Sequence, residues 1–72
     1  MKRDEFLTAM QDVLQTEEAL TPDTVLTELP EWDSLAIMAT VAFLGKSFGI
    51  DVGLKDFKVI NTMADLMAKA GV

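Results

Sequence analysis

Apolar residues first recur with a helical period over residues 4–15, where Phe6, Leu7, Met10, Val13 and Leu14 gather on one face. Asp4 and Glu5 fall in the first turn of that helix, where its dipole favours negative charge. Over residues 16–33 the period is lost. Pro22 and Pro30 punctuate this stretch, and Thr21-Pro22-Asp23 reads as an N-cap followed by proline at the first helical position, which predicts one or two helical turns from there. Leu20, Val25, Leu26, Leu29 and Trp32 supply enough apolar surface to pin the connection to a core. Connections this long in a small domain are often functional.

A second helical period begins at Asp33-Ser34. Asp33 is a suitable N-cap, able to accept a bond from a free backbone N–H of the first turn. Leu35, Met38, Val41, Leu44 and Phe48 then recur every three or four residues, and Gly49 marks the stop. Ile37 and Phe43 lie off this stripe, and Ala36, Ala39 and Ala42 fill other positions. A helix apolar on more than one face is either central in a bundle or offers an apolar surface to a partner. Ile50 and Val52 alternate around Asp51, but with no second strand to pair with, a loop is predicted. Residues 54–58 predict a short helical turn that buries Leu54 and Phe57. Asn61 or Thr62 caps a last helix, and Asp65, three residues after Thr62, completes part of a capping box. Met63, Leu66, Met67 and Ala70 form the inner face of that helix, and Gly71 ends it. The pattern predicts an all-α, four-helix bundle in one domain, residues 1–72. It has three main helices, one short helix and a long ordered loop between the first two.

Composition narrows the chemistry. A chain of 72 residues buries a thin core. It has no cysteine and no histidine, which removes disulfides, the usual zinc and haem ligands, and thiol or imidazole catalysis. Any thiol chemistry has to be brought in from outside. Carboxylates remain, but they fall on helix surfaces and in a loop, and so small a domain has little room for a substrate cleft. They read as a solvated face, which predicts a non-catalytic protein without a metal site. The net charge is -6, and residues 1–33 hold nine acids against only Lys2 and Arg3. Such a balance disfavours nucleic acid and suits a partner with a basic surface. Lys2 and Arg3 are followed by acids rather than an apolar segment, unlike a signal peptide. The apolar run Leu35–Leu44 is too short to span a bilayer. A monomeric, cytoplasmic protein without a membrane span is expected.

Ser34 stands out by position. It follows the long loop and opens a helix, where free N–H groups and the macrodipole favour an anion. Ser47, the other serine, lies near the far end of the same helix, where a phosphate is disfavoured. Asp-Ser-Leu alone is a common helix start, so its context carries the signal.

In that context Glu31-Trp32-Asp33-Ser34-Leu35 resembles the phosphopantetheine attachment motif of the acyl carrier protein family. Phe48-Gly49-Ile50 resembles the aromatic residue and turn that end the family's second helix, and Ile60-Asn61-Thr62-Met63-Ala64-Asp65-Leu66 the start of its last helix. The resemblance spans the whole chain. It implies a carrier whose Ser34, between Asp33 and Leu35, receives covalent 4′-phosphopantetheine from coenzyme A through a phosphopantetheinyl transferase using magnesium. It also implies partner enzymes that load and process an acyl group held on the arm's thiol. Met10, Met38, Met63 and Met67 would be flexible core fillers able to yield to such a chain. The sequence departs from fatty-acid carriers in having no acid between Ser34 and Ile50, with Lys46 the only charge there. Ala36 and Ala39 stand where acids are common. A specialised carrier for a lipid, polyketide or other pathway is expected, docking partners through Trp32, Ile37 or Phe43 unless the last two are core residues. An aminoacyl or peptidyl carrier is the alternative, although Leu29-Pro30-Glu31-Trp32 lacks the Gly-rich lead-in common there. An unmodified helical adaptor is a third.

Overall fold

The first apolar face folds as predicted in the computed structural model, which describes residues 1–72. Helix α1 spans Arg3–Leu14 and buries Phe6, Met10 and Leu14, with Leu7 and Val13 half-buried beside them. Its end is set by Gln15, which adopts a left-handed φ of 54°. In that conformation the N–H groups of Gln15 and Thr16 donate to the carbonyls of Asp12 and Gln11, which lack helical partners.

The connection that follows does not start a helix at Pro22. Thr21-Pro22-Asp23-Thr24 is a turn in which the Thr21 N–H donates to Thr24 Oγ1 at 2.9 Å. The helical piece comes later and is a single 3-10 turn, Leu26–Glu28. The reason lies in the distant chain. An α-helix from Pro22 would need the Leu26 N–H on the Pro22 carbonyl. Instead, the Leu26 N–H donates to the Asn61 carbonyl at 2.8 Å, and the Pro22 carbonyl accepts the Ala64 N–H at 2.9 Å. A third bond, Met63 N–H to the Thr24 carbonyl, completes the strap. Leu20, Leu26 and Leu29 are buried beneath it. The loop is ordered because it is laced to the start of the last helix.

Helix α2 spans Ser34–Phe48. The Ala36 N–H donates to Asp33 Oδ1 at 2.9 Å, and Gly49 closes the helix at φ 67°, a conformation that favours glycine. Asp33→Ala is expected to cost about 1 kcal/mol through loss of this cap, while Asp33→Asn keeps most of it. Urea denaturation of the two variants against wild type checks this; equal midpoints would remove the cap from the account.

The inward face of α2 differs from the predicted stripe. Ala36, Thr40 and Leu44 are buried, whereas Leu35 is 76% and Met38 60% exposed. Two features set the rotation. Phe43 and Phe48 each place a ring 5.8 Å from that of Phe6 on α1, which draws their side of the helix inward. Thr40 satisfies its own hydroxyl by donating to the Ala36 carbonyl at 2.8 Å, so this polar residue is enclosed without an unpaired donor.

Residues Leu54–Lys58 form a 3-10 turn rather than a fourth α-helix. Phe57 is buried, its ring 5.9 Å from that of Trp32. Leu54 is 65% exposed, not buried as predicted, because the turn meets the core at its far end. Ile50–Val52 is a loop, as expected. Helix α3, Met63–Ala70, buries Met63, Leu66, Met67 and Ala70. The architecture is all-helical, with three α-helices and no strand. No helix is long and apolar enough to cross a membrane.

The capping box of α3 is complete. The Asp65 N–H donates to Thr62 Oγ1, and Asp65 Oδ2 accepts the N–H groups of Asn61 and Thr62 at 3.0 Å each. The bond from Asn61, then that from Thr62, holds the Asp65 carboxyl below the usual aspartate range. A depressed folded-state pKa contributes stability above the unfolded value, and the contribution is lost as pH falls through the folded value. Asp65→Asn should therefore lower the thermal midpoint at neutral pH. The difference should close as acid protonates the wild-type carboxyl, below about pH 4. A difference that stays constant from neutral to acid pH would contradict the charge-dependent cap.

Candidate functional site

Ser34 is the first residue of α2 and is exposed. Its position is fixed from both sides. Downstream, Asp33 caps the helix. Upstream, Leu29 is buried, the Trp32 N–H donates to the Leu29 carbonyl at 3.1 Å, and the Trp32 ring rests near Phe57. The hydroxyl thus stands at the positive end of a 15-residue helix, on a rigid base and open to solvent. Such a place suits a phosphodiester: its negative charge meets the helix dipole, and a modifying enzyme can reach it. Ser47 is also exposed but lies in the last turn of α2, at the negative end.

Beside Ser34 runs an open groove of about 390 Å³ between the end of α1 and the start of α2. Its apolar wall includes Val13, Leu14, Leu35, Ala36 and Ala39, and Glu31 and Asp33 bring carboxylates to it. Glu31 Oε1 is shut off from solvent and has no hydrogen-bond partner.

The structure brings Asp33, Ser34 and Leu35 together at this helix start. It places the other expected contact residues elsewhere. Trp32 is half-buried against Phe57. Ile37 and Phe43 are half-buried on the core, and Phe43 stacks edge-on to Phe48 at 5.9 Å. The apolar surface that α2 leaves free consists of Leu35 and Met38, with the exposed Ala39 and Ala42. Met10, Met63 and Met67 are enclosed in the core, but Met38 is not. A signal for this rotation is present in the sequence: Ala36, Thr40 and Leu44 repeat every four residues, with small side chains that permit close helix packing. Leu35→Asp and Met38→Asp should each change stability by less than about 0.5 kcal/mol. Phe43→Asp should cost several-fold more, because it puts a carboxylate among three aromatic rings. Urea midpoints decide this; a Leu35→Asp variant as damaged as Phe43→Asp would contradict the assigned face.

No family model, curated protein or solved structure matches the chain.

Proposed function

We propose that this chain is an acyl carrier protein that bears 4′-phosphopantetheine on Ser34. The observation that carries the reading is the exposed Ser34 hydroxyl at the start of α2, beside the capping carboxylate of Asp33. In this reading the 3-10 turn Leu54–Lys58 stands where the carrier family has its short third helix. Ser34 Oγ attacks the coenzyme A phosphate next to pantetheine, gives its proton to a base of the transferase, and displaces the nucleotide. The first turn of α2 then faces the resulting phosphodiester with its dipole. When attached, the arm supplies a thiol that can hold an acyl group as a thioester.

The residues of the chain keep to positioning and presentation. Asp33 holds the first turn, and the strap from Pro22 to Leu26 keeps the loop against α3, so the hydroxyl is offered at a fixed place. Leu35 and Met38 offer apolar contact to the enzymes that load and process the cargo. The absence of acids along α2 supports a specialised lipid, polyketide or related pathway with its own partners.

A chain without cysteine makes the test direct. Incubation with coenzyme A, magnesium and a broad-specificity phosphopantetheinyl transferase, followed by removal of small molecules, should raise the protein thiol count from none to one per chain. A count that stays at zero with several transferases would overturn the carrier reading and favour an unmodified adaptor.

A further inference from the structure

The groove beside Ser34 contains a charge for which this chain has no counterpart. Glu31 lies along it with Oε1 enclosed and unbonded. Buried carboxylate oxygens in native proteins nearly always have a partner, and one that does not calls for an explanation. A carboxylate with one oxygen out of water has lost part of its hydration, so an incoming cation is attracted to it more strongly than to a fully solvated acid. Asp33 adds a second negative charge at the same edge. The single ion pair of the chain joins Lys69 to Asp56, and no basic residue lies between Arg3 and Lys46. The charge is left for something outside the chain.

We propose that this groove receives an arginine side chain of a partner protein that acts at Ser34. Arginine fits better than lysine on two counts. Its planar fork can address the Glu31 and Asp33 carboxylates together, and its weakly hydrated face tolerates an apolar wall such as Leu14, Leu35 and Ala39. The exposed Leu35 and Met38 extend the surface, so the arginine is flanked by apolar residues on the partner. A protein side chain fits better than a charged cargo because Asp33 and Leu35, which edge the groove, are the chain neighbours of Ser34. Whatever fills the groove sits over the hydroxyl, where an enzyme working on it must stand, whereas a cargo hangs at the far end of an arm. That the partner acts at Ser34 rests on the carrier reading; the charge and shape of the groove do not.

The test is an NMR titration of the full ¹⁵N-labelled chain with acetyl-Leu-Arg-Leu-amide and with the same peptide carrying neutral citrulline for arginine. The arginine peptide should shift the amides of Gln15, Glu31 and Ala39, and citrulline should bind at least about fivefold more weakly, as expected for one lost charge-assisted contact. Glu31→Gln, nearly isosteric and checked for an unchanged fold by the same spectrum, should weaken the arginine peptide by a similar factor. Equal binding of the two peptides, no localised shifts, or undiminished binding to Glu31→Gln would overturn the proposal. Alanine amide, a small ammonium probe, is run in parallel. If it occupies the groove more tightly than the arginine peptide, the site belongs to an aminoacyl cargo and the partner assignment falls. A chain that binds the arginine peptide but never gains a thiol keeps the groove and loses only the link to Ser34.

Discussion

Ser34→Ala should abolish uptake of the phosphopantetheinyl group completely while moving the thermal midpoint by no more than about 2 °C. Both halves follow from geometry. The side chain of Ser34 is exposed, so its removal leaves no cavity. The cap belongs to Asp33, which keeps its bond to Ala36, and alanine is the best of helix formers. Ser47 cannot take over, because it sits at the negative end of α2 and is flanked by Lys46 and Phe48 rather than the Asp-Ser-Leu motif. Ser47→Ala should therefore be modified as fast as wild type. Intact mass after transferase treatment reads all three proteins. Residual modification of Ser34→Ala at the wild-type level would place the arm elsewhere.

The largest effect on stability is expected at Phe6. It is wholly buried and lies against both Phe43 and Phe48 with ring centroids 5.8 Å apart. Phe6→Ala removes those edge contacts and leaves a cavity between α1 and α2, at a cost of about 3–5 kcal/mol. A domain of this size has a total stability of roughly 4–11 kcal/mol. The variant should therefore be much closer to unfolding at room temperature and show an early, shallow urea transition by circular dichroism. Leu54→Ala is the matching control: Leu54 is mostly exposed, and its loss should cost less than about 0.5 kcal/mol. A Phe6→Ala variant no less stable than Leu54→Ala would mean that the aromatic cluster does not hold the two helices together.

What the sequence made readable was local. Asp33, Gly49, the Thr62–Asp65 box and Gly71 each act through bonds or backbone angles within a few residues, and each sits where its residue type predicts. The face of α1 was readable because its polar side is strongly polar. Helix α2 was different. It is apolar nearly all round, so its period does not fix which side turns inward. The choice was made by Phe6 on α1 and by the self-satisfied Thr40, which are tertiary facts. The misplaced turn at Pro22 has the same origin: the bonds that settled it come from Asn61, Met63 and Ala64, about forty residues away.

The site divides along the same line. That Ser34 opens a helix behind a capping aspartate is legible from Asp33-Ser34 alone. The groove is not, because it needs the end of α1 beside the start of α2. Nor is the stranded oxygen of Glu31, which a sequence shows only as one acid among twelve. The shift of the free apolar surface from Ile37 and Phe43 to Leu35 and Met38 follows from the rotation of α2.

One measurement bears most directly on the central claim. The wild-type chain is incubated with coenzyme A, magnesium and a broad-specificity transferase, and its intact mass is recorded and then fragmented. The expected result is a single added phosphopantetheinyl group on a fragment that contains residue 34 and not residue 47. An unchanged mass, or an added group that maps away from Ser34, would contradict the account.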